Sequence, residues 1–152
     1  MKWLLLFCLW VLQLTAHGAT YEERGVAAVL MGEAWSEGVT GMTAVAEVIH
    51  QRSVDKGKTP LQIISVCRSQ IHAFSCLNGT TLDRLIQKFS PKPDYQQALQ
   101  LAQTACETPA RLPGITKSAN HFTRATERPY WAKGQRPVVV IGLHAFYKLE
   151  RY

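Results

Sequence analysis

The sequence predicts an α+β protein: mainly helical, closed by a small antiparallel sheet near its C-terminal end. Three observations lead there. Apolar residues recur at helical spacing through the first two thirds of the chain, whereas Val138, Val139, Val140 and Ile141 form a β-branched run near the end. A length of 152 residues suits a single domain. A composition of 47% hydrophobic and 18% charged residues is that of a globular protein and excludes a disordered or collagen-like chain.

The elements follow in order. Residues 1–18 have the layout of a secretory leader: Met1-Lys2, an apolar run over residues 3–14 interrupted only by Gln13, and small residues about Ala16 and Gly18. The run is short for a membrane span, which needs roughly 20 residues. Cleavage after Gly18 would leave residues 19–152 as the working domain. A first helix is expected over Tyr21–Ala34, with Val26, Val29, Leu30 and Ala34 on one face. Residues 36–41 carry two glycines and read as a turn. A second helix is expected over residues 42–55, stopped by Gly57. Thr59-Pro60 opens a short third helix to about Val66 by a cap-then-proline signal. Residues 68–78 read as a loop. Thr80 or Thr81 caps a helix to Phe89, and Asp94 can cap another to about Cys106. After a connector at residues 109–117, a short strand is expected at 118–123, a proline-rich loop at 127–137, and the clearest strand at 138–141.

The formal net charge is +6, and loss of the leader removes Lys2 and no acidic residue, leaving +5. A basic exported domain is drawn to anionic surfaces, of which bacterial envelopes offer many. Export argues against nucleic acid as a partner. Of four cysteines, Cys8 leaves with the leader. Three remain, so at most one internal disulfide is expected; Cys67–Cys76 is the first choice and Cys76–Cys106 the rival. There is no CxxC or Cys/His spacing for zinc, and His72, His121 and His144 form no close pair, so neither a metal nor a cofactor is expected.

Glu33 is the unusual residue of the first helix. It lies near the C-terminal end of an apolar stretch, between Gly32 and Ala34, where small neighbours leave room for a ligand. The negative end of the helix dipole and an apolar surround both disfavour its charge, which suits a group that must deliver a proton. A solvated helix-end glutamate is the plainer alternative.

Longer motifs add to this. Gly32-Glu33-Ala34-Trp35-Ser36-Glu37-Gly38, Gly41, and the run from Thr43 through Glu47 to His50-Gln51-Arg52 resemble the opening signature of the cell wall hydrolase family that includes spore cortex-lytic enzymes. Phe74-Ser75-Cys76 is similar to that family's central element. Ala119-Asn120-His121-Phe122, Pro129-Tyr130-Trp131-Ala132 and Ile141-Gly142-Leu143-His144-Ala145-Phe146-Tyr147 are similar to its closing block. The resemblance spans residues 26–147. It implies a lysozyme-like domain that cleaves peptidoglycan glycan strands, often as a lytic transglycosylase, with Glu33 at the position of the catalytic acid. Where the family usually has Glu-Ala-Arg-Gly-Glu, this chain reads Glu-Ala-Trp-Ser-Glu.

A hydrolase would need a second carboxylate, about 5–5.5 Å away for a retaining nucleophile or about 6.5–9.5 Å away for an inverting base. Glu37 and Glu127 are the candidates, while Glu47 is expected to lie on a different part of the second helix. No second carboxylate matches Glu33, so the sequence leans towards the one-carboxylate transglycosylase. Glycan grooves pair aromatic faces with amide and hydroxyl groups; Phe74, Ser75, Asn120, His121, Tyr130 and Trp131 have those chemistries outside the main helices. His144 reads as a hydrogen-bonded support for the site, alongside Glu37 and Tyr147. Three alternatives stay open: a muramidase-type hydrolase, a zinc amidase and a non-catalytic wall-binding module.

Overall fold

The computed structural model describes residues 18–152. The expected leader therefore lies, apart from Gly18, outside the described residues. Helix α1 (Tyr21–Ala34) starts at Thr20, whose side chain accepts from the Glu23 amide while the Glu23 carboxylate accepts from the Thr20 amide. This reciprocal cap satisfies two of the amides a helix start leaves open. From Val26 to Met31 every side chain is buried. One apolar face was expected; instead α1 is enclosed by four other helices, α2 (Gly38–Lys56), α3 (Pro60–Ile64), α4 (Leu82–Phe89) and α5 (Tyr95–Glu107). A helix apolar all round belongs in a core.

The segment between α1 and α2 differs from the expected open turn. Residues Trp35–Glu37 make one 3-10 turn, and α2 already begins at Gly38, whose φ of 65° makes the corner. Gly41 lies inside the helix. A Cβ there would sit 2.5 Å from the Glu37 Cβ, so this glycine serves close packing, not a turn. Helix α3 has the expected start, with Thr59 and Gln62 forming a second reciprocal cap. Thr81, not Thr80, caps α4. Asp94 stands at the start of α5 without capping it, because its carboxylate accepts from the Trp35 indole at 2.6 Å.

The expected loop at residues 68–78 begins as a two-stranded hairpin, β1 (Cys67–Arg68) and β2 (Ile71–His72). Ser69 and Gln70 take φ of 48° and 66° at its tip, positions usually filled by Asn-Gly, so the usual hairpin signal is missing from the sequence. Strands β3 (His121–Arg124), β4 (Val139–Ile141) and β5 (His144–Tyr147) form an antiparallel sheet in the order β3-β5-β4. Helices followed by a small late sheet make this an α+β fold. The sheet packs on α2 through Phe146, Ala44, Val48 and Ala119. Burying a side chain such as Phe146, 1% exposed, contributes about 1.5–3 kcal/mol.

The expected Cys67–Cys76 disulfide is not formed: Cys67, Cys76 and Cys106 are free thiols. Cys67 is exposed on β1, whereas Cys76 turns into the body against Gly32 of α1. Burial raises the Cys76 thiol well above the usual range and the Cys106 thiol to about 12, with neighbouring carboxylates adding to both shifts. Disulfide chemistry needs the thiolate, and these surroundings disfavour it.

Candidate active site

Glu33 occupies the last turn of α1 and is half-buried. Its carboxylate accepts from the Cys76 amide at 2.8 Å and from the Ser75 hydroxyl at 3.3 and 3.4 Å. Both donors come from a 3-10 turn, Ser75–Leu77. That turn reaches α1 because residue 32 is glycine: a Cβ there would lie 2.6 Å from the Cys76 Cβ. The surround is thus polar on the side of this turn, not simply apolar as expected.

Glu37 lies one 3-10 turn further on. Its Oε1 is 2.5 Å from His144 Nδ1, and its Oε2 accepts from the Leu143 amide at 2.7 Å. Two glycines make room. A Cβ on Gly41 would press on the Glu37 Cβ, and one on Gly142 (φ 55°) would lie 2.1 Å from Oε2. The pair joins the helical half to the β4–β5 turn.

Glu33, Ser36, Glu37, Arg52, Ser75, Thr123, Arg124, Glu127 and His144 line one cleft of about 340 Å³. Glu127 is exposed and accepts from the Thr123 hydroxyl at 2.8 Å. Arg52 was read from the sequence only as the end of a motif. Its Nε donates to the Asn120 carbonyl at 2.6 Å, and its guanidinium lies 5.1 Å from the centre of the Phe74 ring. Burial lowers the Arg52 pKa from its ordinary value, partly opposed by the charges of Tyr152 and Glu33.

The other expected sugar-contact residues divide. Ser75 is in the cleft. Phe74 is 1% exposed and lies behind the cleft, packed under Arg52 and against Phe122. His121, Trp131 and Tyr147 belong to the opposite face of the sheet. Strand side chains alternate, so Phe122, His144 and Phe146 share one face, while His121, Thr123, Ala145 and Tyr147 share the other. Trp131 packs on that second face, 5.1 Å from His121 and 5.3 Å from Tyr147. Tyr130, next to it, is 91% exposed. The buried Asn120 amide is fully occupied: Nδ2 donates to Asp55 and the Leu149 carbonyl, and Oδ1 accepts from the Leu149 amide and faces His121 Nδ1. Burial, together with Arg52 and Lys56, pushes His121 down to about 4 against the opposing charge of Asp55. At neutral pH the ring is uncharged and its Nδ1–H can donate to Asn120.

Glu47, expected elsewhere on its helix, is buried. One carboxylate oxygen accepts from the Gly114 and Ile115 amides, the other from the Thr116 amide and hydroxyl. It organises a loop and does not line the cleft. Among the described residues, no three His, Cys, Asp or Glu side chains cluster so as to hold a metal ion.

The family described as Cell Wall Hydrolase matches residues 36–147, most of the described chain. The protein belongs to this family; it is a cell wall hydrolase, and its substrate is peptidoglycan. The match takes in Glu37, Arg52, Ser75, Glu127 and His144, and begins three residues after Glu33. No curated protein and no solved structure matches the chain.

Proposed function

We propose that the protein cleaves peptidoglycan glycan strands as a lytic transglycosylase, with Glu33 serving as general acid and then as general base. Glu33 gives its proton to the glycosidic oxygen as the bond to the muramyl anomeric carbon breaks. The resulting carboxylate then takes the proton of the same sugar's C6 hydroxyl, whose oxygen closes on that carbon to give a 1,6-anhydro ring. No water is consumed, and the substrate's own geometry supplies the proximity.

The observation that carries this reading is the asymmetry among the three cleft carboxylates. Glu37 is committed to His144 and the Leu143 amide, and Glu127 is exposed in a loop. Glu33 is half-buried and held only by neutral donors, the Cys76 amide and the Ser75 hydroxyl, with no histidine engaged on its carboxylate. Product analysis in ¹⁸O-water tests it: anhydro-muropeptides without label are expected. Labelled reducing-end muramyl products would overturn it in favour of hydrolysis, with Glu127, which lines the same cleft, as the water-activating base.

The same proposal includes export to the periplasm, envelope or exterior after cleavage at Gly18, with peptidoglycan and an anionic wall surface as partners in place of nucleic acid. Cleavage there leaves Thr20 and the cap of α1 intact.

A further inference from the structure

Arg52 is a cation in search of an anion. It lines the same cleft as Glu33 and is held on two sides, by its Nε bond to the Asn120 carbonyl and by the buried Phe74 ring beneath it. Neither hold uses its terminal nitrogens. Glu33, across the same cleft, supports its charge from a distance, but among the described residues Arg52 forms no close ion pair and its η nitrogens make no hydrogen bond. A half-buried guanidinium that makes a single hydrogen bond leaves its remaining donors to be satisfied from the cleft. A fixed fork facing a cleft is suited to a planar two-oxygen acceptor, which it binds with charge-assisted bonds.

Peptidoglycan offers one such group on the sugar being cut. Each muramic acid carries a lactyl ether at C3 of the ring whose anomeric carbon is attacked. With a stem peptide attached, the lactyl carbonyl is a neutral amide. Once the peptide is removed it is a carboxylate. We propose that Arg52 binds this lactyl carboxylate, so that the preferred substrate is glycan strand already stripped of stem peptides. The class of reaction that must supply it is hydrolysis of the amide between the lactyl group and the first amino acid. This rests on the reading of Glu33 as the glycan-cleaving residue, because that reading puts the muramyl ring in this cleft.

The test needs no variant to begin. N-acetylmuramic acid and its methyl ester have no glycosidic bond to cleave, so their binding to the wild-type protein can be titrated directly. The acid should bind about tenfold to a hundredfold more tightly than the ester, the range one or two charge-assisted hydrogen bonds supply. Arg52→Gln should bring the two together, and Arg52→Lys should keep part of the difference. In turnover, kcat/KM should be higher on amidase-stripped than on intact peptidoglycan, and Arg52→Gln should bring that ratio towards one. Equal binding of acid and ester by the wild-type protein would overturn the proposal, as would a preference for intact strands, which would assign Arg52 to a stem-peptide carboxylate. An active Glu33→Gln protein would instead overturn the reading of Glu33, whatever the acid and ester do.

Discussion

Replacing Glu47 by Gln turns one of two accepting oxygens into a donating amide at a site where every neighbour donates. In the wild-type protein four bonds of 2.6–3.0 Å converge on the carboxylate. With the new amide facing Gly114 and Ile115, two backbone N–H groups lose their acceptor. Facing Thr116, the Thr116 hydroxyl can turn to accept from it, and only the buried Thr116 N–H is orphaned. The second orientation should therefore be adopted. One orphaned buried amide costs about 1–3 kcal/mol. The surviving bonds also weaken, since bonds to a charged acceptor are roughly twice as strong as neutral ones. A total of about 2–5 kcal/mol is a large part of the stability of an ordinary domain. In urea, with a slope of about 1–3 kcal/mol per molar, the midpoint should fall by about 1–3 M. Thr116→Val in both backgrounds should show clear coupling between the two positions. A loss below about 0.5 kcal/mol for Glu47→Gln would refute the argument that this carboxylate anchors the loop at residues 114–116.

Two further outcomes are expected from the titrating groups. His121 stands at about 4 in the folded protein against about 6.5 unfolded, so the fold favours the neutral ring. Its contribution is full above pH 6.5 and is lost as pH falls towards 4. The full shift corresponds to about 3 kcal/mol, which partial exposure of the ring reduces to about 1–2 kcal/mol. His121→Asn should flatten this part of the stability profile, and an unchanged slope would contradict the assignment. For the thiols, iodoacetamide at neutral pH should label Cys67 in the native protein, and Cys76 and Cys106 only after unfolding. Peptide mapping of non-reduced protein should show no Cys67–Cys76 link.

Much of the helical part was legible because its signals are local. The bounds of α1 and the cap-then-proline start of α3 follow from residues a few positions apart. What was not legible depends on partners far along the chain. Gly41 reads as a turn former in isolation, and only the packing of Glu37 shows that it is a contact glycine. Glu47 sits among Ala44, Val45, Ala46, Val48 and Ile49, a run that demands buried donors for a carboxylate, but the donors lie 67 to 69 residues away. His121 and Trp131 share the closing motifs with Phe122 and His144, and only the folded packing of His121 on Trp131 shows that they lie outside the cleft. Arg52 gave no local signal either: Asp55, three residues on, reads as its partner, and only the fold shows Asp55 engaged by Asn120, Gln51 and Tyr152.

The central claim is that Glu33 moves the proton in glycan cleavage. Release of soluble muropeptides from purified peptidoglycan should be compared for the wild-type protein and a Glu33→Gln protein shown by circular dichroism and melting temperature to be equally folded. General-acid assistance is worth about 10²–10⁴-fold, so the variant should lose at least about a hundredfold in rate. A folded Glu33→Gln protein that releases muropeptides at nearly the wild-type rate would contradict the claim.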